Sequence, residues 1–108
     1  MNLFYVHWNE AEWSHRVKTV ERNGITVTGA WKSGAHEDLM KQLPDVLVIS
    51  LDRLPSHGRT LARWFWESKK RRQVPIIFEG GQEEKTIPIK AQFPLAKFVE
   101  NGKVLEAL

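Results

Sequence analysis

Leu43 to Gln73 reads LPDVLVISLDRLPSHGRTLARWFWESKKRRQ. Its apolar run, Val46 to Ser50, has the composition of a strand covered on both faces of a parallel sheet, and the third strand is expected over Asp45 to Leu51. Leu51 to Pro55 makes a turn. Ser56 then offers a side-chain cap for a helix over Gly58 to Arg72, which ends in four consecutive cations, Lys69 to Arg72. Strand, turn and helix in that order form a βα unit, and the rest of the chain repeats it.

Towards the N-terminus, Leu3 to Trp8 is apolar on both alternations and reads as the first strand. Asn9-Glu10-Ala11-Glu12 is a variant capping box, and Trp13, Val17 and Val20 follow at helical spacing up to Asn23-Gly24, which closes the helix. Ile25 to Ala30 is a β-branched second strand. Ser33-Gly34 precedes a short helical stretch, Ala35 to Gln42, stopped by Pro44. Beyond the central unit, Val74 to Phe78 is the fourth strand, and Gly80-Gly81 turns the chain into a short or irregular helix, Gln82 to Gln92, interrupted by Pro88. Leu95 to Val99 is a fifth strand, and Lys103 to Leu108 a terminal helical stub. Five βα units of about 22 residues each, with no hairpin signals, predict a doubly wound parallel five-stranded α/β sheet with a short terminal helix.

The length of 108 residues is that of one domain, residues 1–108, and 42% hydrophobic with 27% charged residues describes an ordinary globular chain. The absence of cysteine excludes disulfides, thiolate metal sites and thiol catalysis, and fits a reducing cytoplasm. The opening MNLFYVHW has no basic flank and is too short to be a signal peptide or a membrane span. Net charge is +3, yet Ser56 to Gln73 holds six Lys or Arg and one Glu, a local +5, so the basic character belongs to one helix. No Gly-rich nucleotide or P-loop motif follows a strand, and the first loop is acidic where a flavin phosphate would want amides and hydroxyls. No cofactor is expected.

The segment LPDVLVISLDRLPSHGRTLARWF, an apolar strand with a polar end followed by L-P-x-x-G and an amphipathic helix, resembles the receiver domains of two-component response regulators. More narrowly it is similar to short stand-alone receiver-like bacterial proteins in which this place reads D-L-S-R-L-P-S-H-G-R. The resemblance implies a flavodoxin-like sheet of order 2-1-3-4-5. It also implies a phosphoacceptor pocket, whose positions here are held by other residues: Ser50 at the end of strand three, His7 and Trp8 after strand one, Glu79 where a hydroxyl belongs, and Glu100 near the place of a Lys. Phosphoryl transfer to a carboxylate needs a divalent cation on oxygen ligands and a cation against the product charge, and neither is evident at these positions. Asp52 is the local carboxylate. It is read as a turn residue bonding nearby amides, with a displaced acceptor as the alternative.

In that strand order His7, Glu10, Asp52 and His57 reach one rim, where a zinc or acid–base site is conceivable, although their spacing matches no metal motif. On a helical wheel Gly58, Leu61, Ala62 and Phe65 form the inner side, and Arg59, Arg63 and Lys70 an outer stripe bordered by Trp66. An exposed indole among cations can stack on a base or anchor an interface, and equally can lie under a neighbouring cation for about 1 kcal/mol. These residues predict a degenerate receiver that works through a protein partner or self-association, without catalysis. The alternatives are a nucleic-acid-associated protein using the third helix, and a small metal-assisted hydrolase at His7 and His57.

Overall fold

A computed structural model describes residues 1–32 and 34–108; Ser33, expected with Gly34 to precede a short helical stretch, lies outside them. Five parallel strands, β1 Asn2–Val6, β2 Thr26–Ala30, β3 Val46–Ser50, β4 Ile76–Glu79 and β5 Lys97–Val99, lie in the order 2-1-3-4-5. This is the flavodoxin-like α/β arrangement. The helices are α1 Glu10–Lys18, α2 Ala35–Lys41, α3 Pro55–Trp66, α4 Lys69–Arg72 and α5 Glu83–Gln92, and a 3₁₀ turn at Val104–Ala107 stands where the terminal stub was expected. No helix among the described residues is long and apolar enough to cross a membrane.

Side chains alternate across each strand, so the sheet builds two cores. Phe4, Val6, Leu47, Ile49, Ile76 and Phe78 pack with Leu39 of α2, Leu61 and Phe65 of α3, and Ile89 of α5. Leu3, Tyr5, Val46, Val48 and Ile77 face the other way, towards Val20, Val104 and the half-buried Trp13. Each fully buried Leu, Ile or Phe contributes roughly 1.5–3 kcal/mol relative to exposure. The α1 face is thinly covered towards β5, because only one 3₁₀ turn follows that strand.

Several boundaries move, each for a local reason. Helix α1 stops at Lys18, where Thr19 caps it by donating its amide and its hydroxyl to the Arg16 carbonyl, at 3.0 and 2.6 Å. Asn23-Gly24 instead turns the chain into β2. Helix α3 begins at Pro55 and not after a Ser56 cap, since proline has no N–H to leave unsatisfied in a first turn. The expected helix to Arg72 breaks at Glu67-Ser68, where the Ser68 hydroxyl accepts from the Arg71 amide at 3.4 Å and starts α4. Pro88 lies inside α5 on its exposed side, depriving the Glu84 carbonyl of its usual donor without ending the helix. Strand β4 runs two residues later at its start and one later at its end than expected, which makes Glu79 a strand residue.

Candidate functional site

The carboxyl ends of β1, β3 and β4 share one polar corner. Period-two alternation sends Tyr5, Ser50 and Glu79 to the α1 face of the sheet, and Ser50 pairs in register with Glu79. Glu79 is 0% exposed. It accepts hydrogen bonds from the Tyr5 hydroxyl, from Arg16 Nη1 at 3.2 Å and from the Gly102 amide at 2.8 Å. Burial raises its carboxyl above the ordinary range, while the Gly102 N–H favours the anion.

Arg16 is the hinge of this corner. It stands in the last turn of α1, and its guanidinium reaches both Glu79 and Asp52. Its second guanidinium nitrogen, Nη2, pairs with Asp52 Oδ2. Asp52 Oδ1 accepts from the Gly81 amide at 2.6 Å. Burial alone would raise the Asp52 carboxyl, but Arg16, the Gly81 N–H and the Asn101 side chain outweigh it and hold it below the ordinary range. Gly80, at φ 73°, lets the loop after β4 pass close to Asp52 and Asn101, where a Cβ would collide with both side chains.

Asp52 is therefore not the local turn residue expected from Asp52-Arg53-Leu54-Pro55: its carboxylate reaches across the sheet to the loop after β4 and to α1. A cation stands beside it as well: Arg16, from the helix expected after the Asn9 cap. Ser50 is fully buried, its hydroxyl 3.4 Å from the Asp52 amide. Glu100 is exposed and lines, with Asp52, Gly81, Lys90 and Asn101, a polar depression of about 480 Å³ that borders the corner.

A second cluster lies beside the first. His7 is 0% exposed, and its Nε2 lies 2.9 Å from Glu12 Oε1. Glu12 is gripped by Arg53, through Nη2 to Oε2 and through Nε to Oε1 at 3.3 Å. Hydrogen bonds from Arg53 and then His7 bring the Glu12 carboxyl down to about 2. Burial lowers His7 against the pull of Glu12, and its Nδ1 is buried without a partner. Asn9 does cap α1, accepting from the Glu12 amide at 3.0 Å, but the Glu12 side chain does not close the expected box. His57 is exposed and meets Trp8 edge-on at 5.6 Å between ring centroids, so the two imidazoles engage different partners. Glu10 is exposed. Among the described residues no group of three or more His, Asp or Glu is placed to hold a metal ion.

On α3 Arg63 is exposed and Arg59 half-buried, and Lys70 is exposed on α4, so the break at Glu67-Ser68 divides the stripe expected along one helix. Trp66 is not a free platform: its ring packs edge-on to Phe93 at 5.1 Å and its indole N–H is buried. The cation–π pair forms at Trp64 instead, with the Arg71 guanidinium 4.1 Å from its ring centroid and donating to the carbonyls of Phe65 and Trp64. Arg72 donates to the Trp66 carbonyl at 2.9 Å. The run Lys69 to Arg72 is thus partly a clasp on the end of α3.

The residues that sequence reasoning missed are Arg16, Tyr5, Arg53 and Asn101. Tyr5 and Glu79 had a usable signal, since alternation along the strands assigns both to the α1 face. Arg16 had none, because one cation on a polar helix face looks like any other. Chemically the corner is a closed unit: two carboxylates share one guanidinium, and each also holds a backbone amide. No protein-family model and no curated protein gives a match to the chain.

Proposed function

We propose that the protein is a receiver-like signalling module of the cytoplasm that acts through a protein partner or a second copy of itself, without aspartyl phosphorylation. The observation that carries the reading is the state of Asp52, the carboxylate nearest the expected acceptor position. Oδ2 is paired with Arg16, Oδ1 is bonded to the Gly81 amide, and the neighbouring Glu79 is committed to Tyr5, Arg16 and Gly102. An acceptor carboxylate must instead be free to attack phosphorus, beside oxygen ligands for a divalent cation. Freeing Asp52 breaks a paired corner, which opposes phosphorylation thermodynamically.

The test is incubation with phosphoramidate and magnesium, followed by intact mass measurement and hydroxylamine treatment. The expected spectrum is unchanged. Stoichiometric gain of one hydroxylamine-labile phosphoryl group at Asp52 overturns the phosphorylation-independent reading. Sedimentation analysis over a range of protein concentrations, with and without phosphodonor, is expected to give superimposable distributions.

A further inference from the structure

The loops leaving β1, β2 and β3 enclose a cleft of about 410 Å³ that takes no part in the carboxylate corner. Its apolar walls are the indoles of Trp8 and Trp31 with Ala35, Leu54 and Leu61, and its polar groups are Lys32, His36, His57 and Thr60. Trp8 and Leu54 belong to the two loops that diverge where the strand order reverses, between β1 and β3, the position at which open α/β sheets gather ligands. The volume is that of a small-molecule site.

Three features fix the chemistry. First, the walls are held by their neighbours. Trp31 leans on Trp13 at 4.9 Å and His36 on Trp64 at 4.5 Å, both partners outside the cleft, while Trp8 meets His57 edge-on at 5.6 Å within the lining, so the flat surfaces exist without a ligand. Second, Leu54 stays 41% exposed although it lines the cleft, which leaves apolar surface open to a ligand. Third, no lining residue is acidic, whereas the four other described clefts each carry at least one carboxylate, from Asp52, Asp38, Glu84 or Glu67. Lys32 is the cleft's fixed charge. Flat apolar walls with a cation and no anion select a planar ring that carries negative charge.

We propose that the cleft between the first turns of α2 and α3 binds a small planar aromatic anion, the ring lying between the indoles of Trp8 and Trp31 and the anionic group towards Lys32. The anionic group can belong to an aromatic carboxylate or to a nucleoside monophosphate, which present the same chemistry to the cleft. This stands independently of how the carboxylate corner is used.

The full chain, labelled with nitrogen-15, gives one indole N–H signal for each of its five Trp. It is titrated with 1-naphthoate, with AMP, and with 1-naphthylmethanol as the uncharged analogue. The expected result is saturable movement of the Trp8 and Trp31 signals and of the Ala35 and Thr60 amides, with Trp66 unmoved. 1-Naphthylmethanol is expected to bind about fivefold more weakly, the loss expected for one partly solvated charge pair, and Lys32→Gln to weaken naphthoate by a similar factor. Leu54→Glu, at an exposed position that leaves the fold intact, places a carboxylate at the mouth and is expected to abolish binding. Tighter binding of AMP than naphthoate assigns the phosphate source, and the reverse the carboxylate source. No movement of Trp8 or Trp31 with either anion at millimolar concentration, or equal affinity for the uncharged analogue, overturns the proposal.

Discussion

Arg16→Met is the sharpest perturbation of the carboxylate corner, because it removes the cation and keeps the aliphatic stem. Two ion pairs are lost, one to the fully buried Glu79 and one to Asp52, whose side chain is 23% exposed. Removing one partner of a buried pair costs about 3–5 kcal/mol. Glu79 retains the Tyr5 hydroxyl and the Gly102 amide, and Asp52 retains Gly81, so we set the expected loss near the bottom of that range, about 3 kcal/mol at neutral pH. For a chain of this size that lowers Tm by about 12 °C. The pH dependence is a sharper signature. Glu79 has a raised folded-state pKa, so it binds its proton more readily when folded and opposes stability as pH rises through that value. Without Arg16 its carboxyl moves further up, and the penalty therefore shrinks on acidification as Glu79 takes a proton. Asp52 acts with the opposite sign. Its pKa is depressed, so the stability it contributes is present above the ordinary carboxylate pKa and is lost as pH falls through the folded value. Arg16→Met forfeits part of that contribution at neutral pH. Urea unfolding followed by tryptophan fluorescence, on wild type, Arg16→Met, Glu79→Gln and the double variant, gives the coupling energy, expected at about 2 kcal/mol. A coupling below about 0.5 kcal/mol, or a penalty that does not change between neutral and mildly acidic pH, refutes the assignment of Arg16 as the partner of Glu79.

Two further substitutions test how the neighbouring surfaces are held. Gly29 of β2 faces the Tyr5 carbonyl so closely that a Cβ would collide with that oxygen and crowd Trp13 Nε1, which donates to the same carbonyl at 2.9 Å; Gly29→Ala is expected to cost about 3 kcal/mol or more, read by urea unfolding, as severe overpacking does. Arg71→Ala removes the cation over Trp64 and two bonds to carbonyls of α3, for an expected loss of about 2 kcal/mol, with Arg71→Lys restoring less than half because an ammonium cannot reproduce the planar fork.

Much of the fold was legible because parallel sheets advertise themselves. Val46 to Ser50 is buried at every position, and strand gives way to helical spacing four times before a 3₁₀ turn closes the fifth unit. The ends of elements were less legible, since a cap depends on local chemistry that several neighbours could supply. Pro55 displaced Ser56 at the start of α3, and Ser68 divided the basic helix although nothing in the periodicity of Leu61 and Phe65 announces a break. At the corner, Asp52 and Glu79 were identified by position, but their use was misjudged. Their partners are 36 and 63 residues away in sequence at Arg16, and only the assembled sheet brings that helix to the loop after β3. The Trp64–Arg71 pair was missed for a related reason. A straight helix puts Arg71 two turns beyond Trp64, on the same face but about 10 Å along the axis, whereas the break at Ser68 leaves the Arg71 guanidinium over the Trp64 ring.

The corner is better explained as a device for specificity than as a source of stability. Taking Glu79 and most of Arg16 out of water costs several kcal/mol per ion, and the attraction between them returns roughly that amount when the remaining donors are well placed. Here they are well placed, through Tyr5, Gly102 and Gly81, so the network sits near break-even while fixing the loops after β3 and β4 against α1. An apolar replacement with the same volume should then lose little. Tyr5→Phe, Arg16→Met and Glu79→Met combined removes the buried ions and leaves Asp52 on the Gly81 amide, near solvent. The combined variant is expected to lie within about 1 kcal/mol of wild type, and thus to be more stable than Arg16→Met alone. If its loss instead matches or exceeds the sum of the single losses, the ions are net stabilising and the break-even account fails. Recovery of stability accompanied by broadened amide signals for Asp52 to Leu54 and Gly80 to Gln82 would give the network its role, holding one loop geometry at little net gain in free energy.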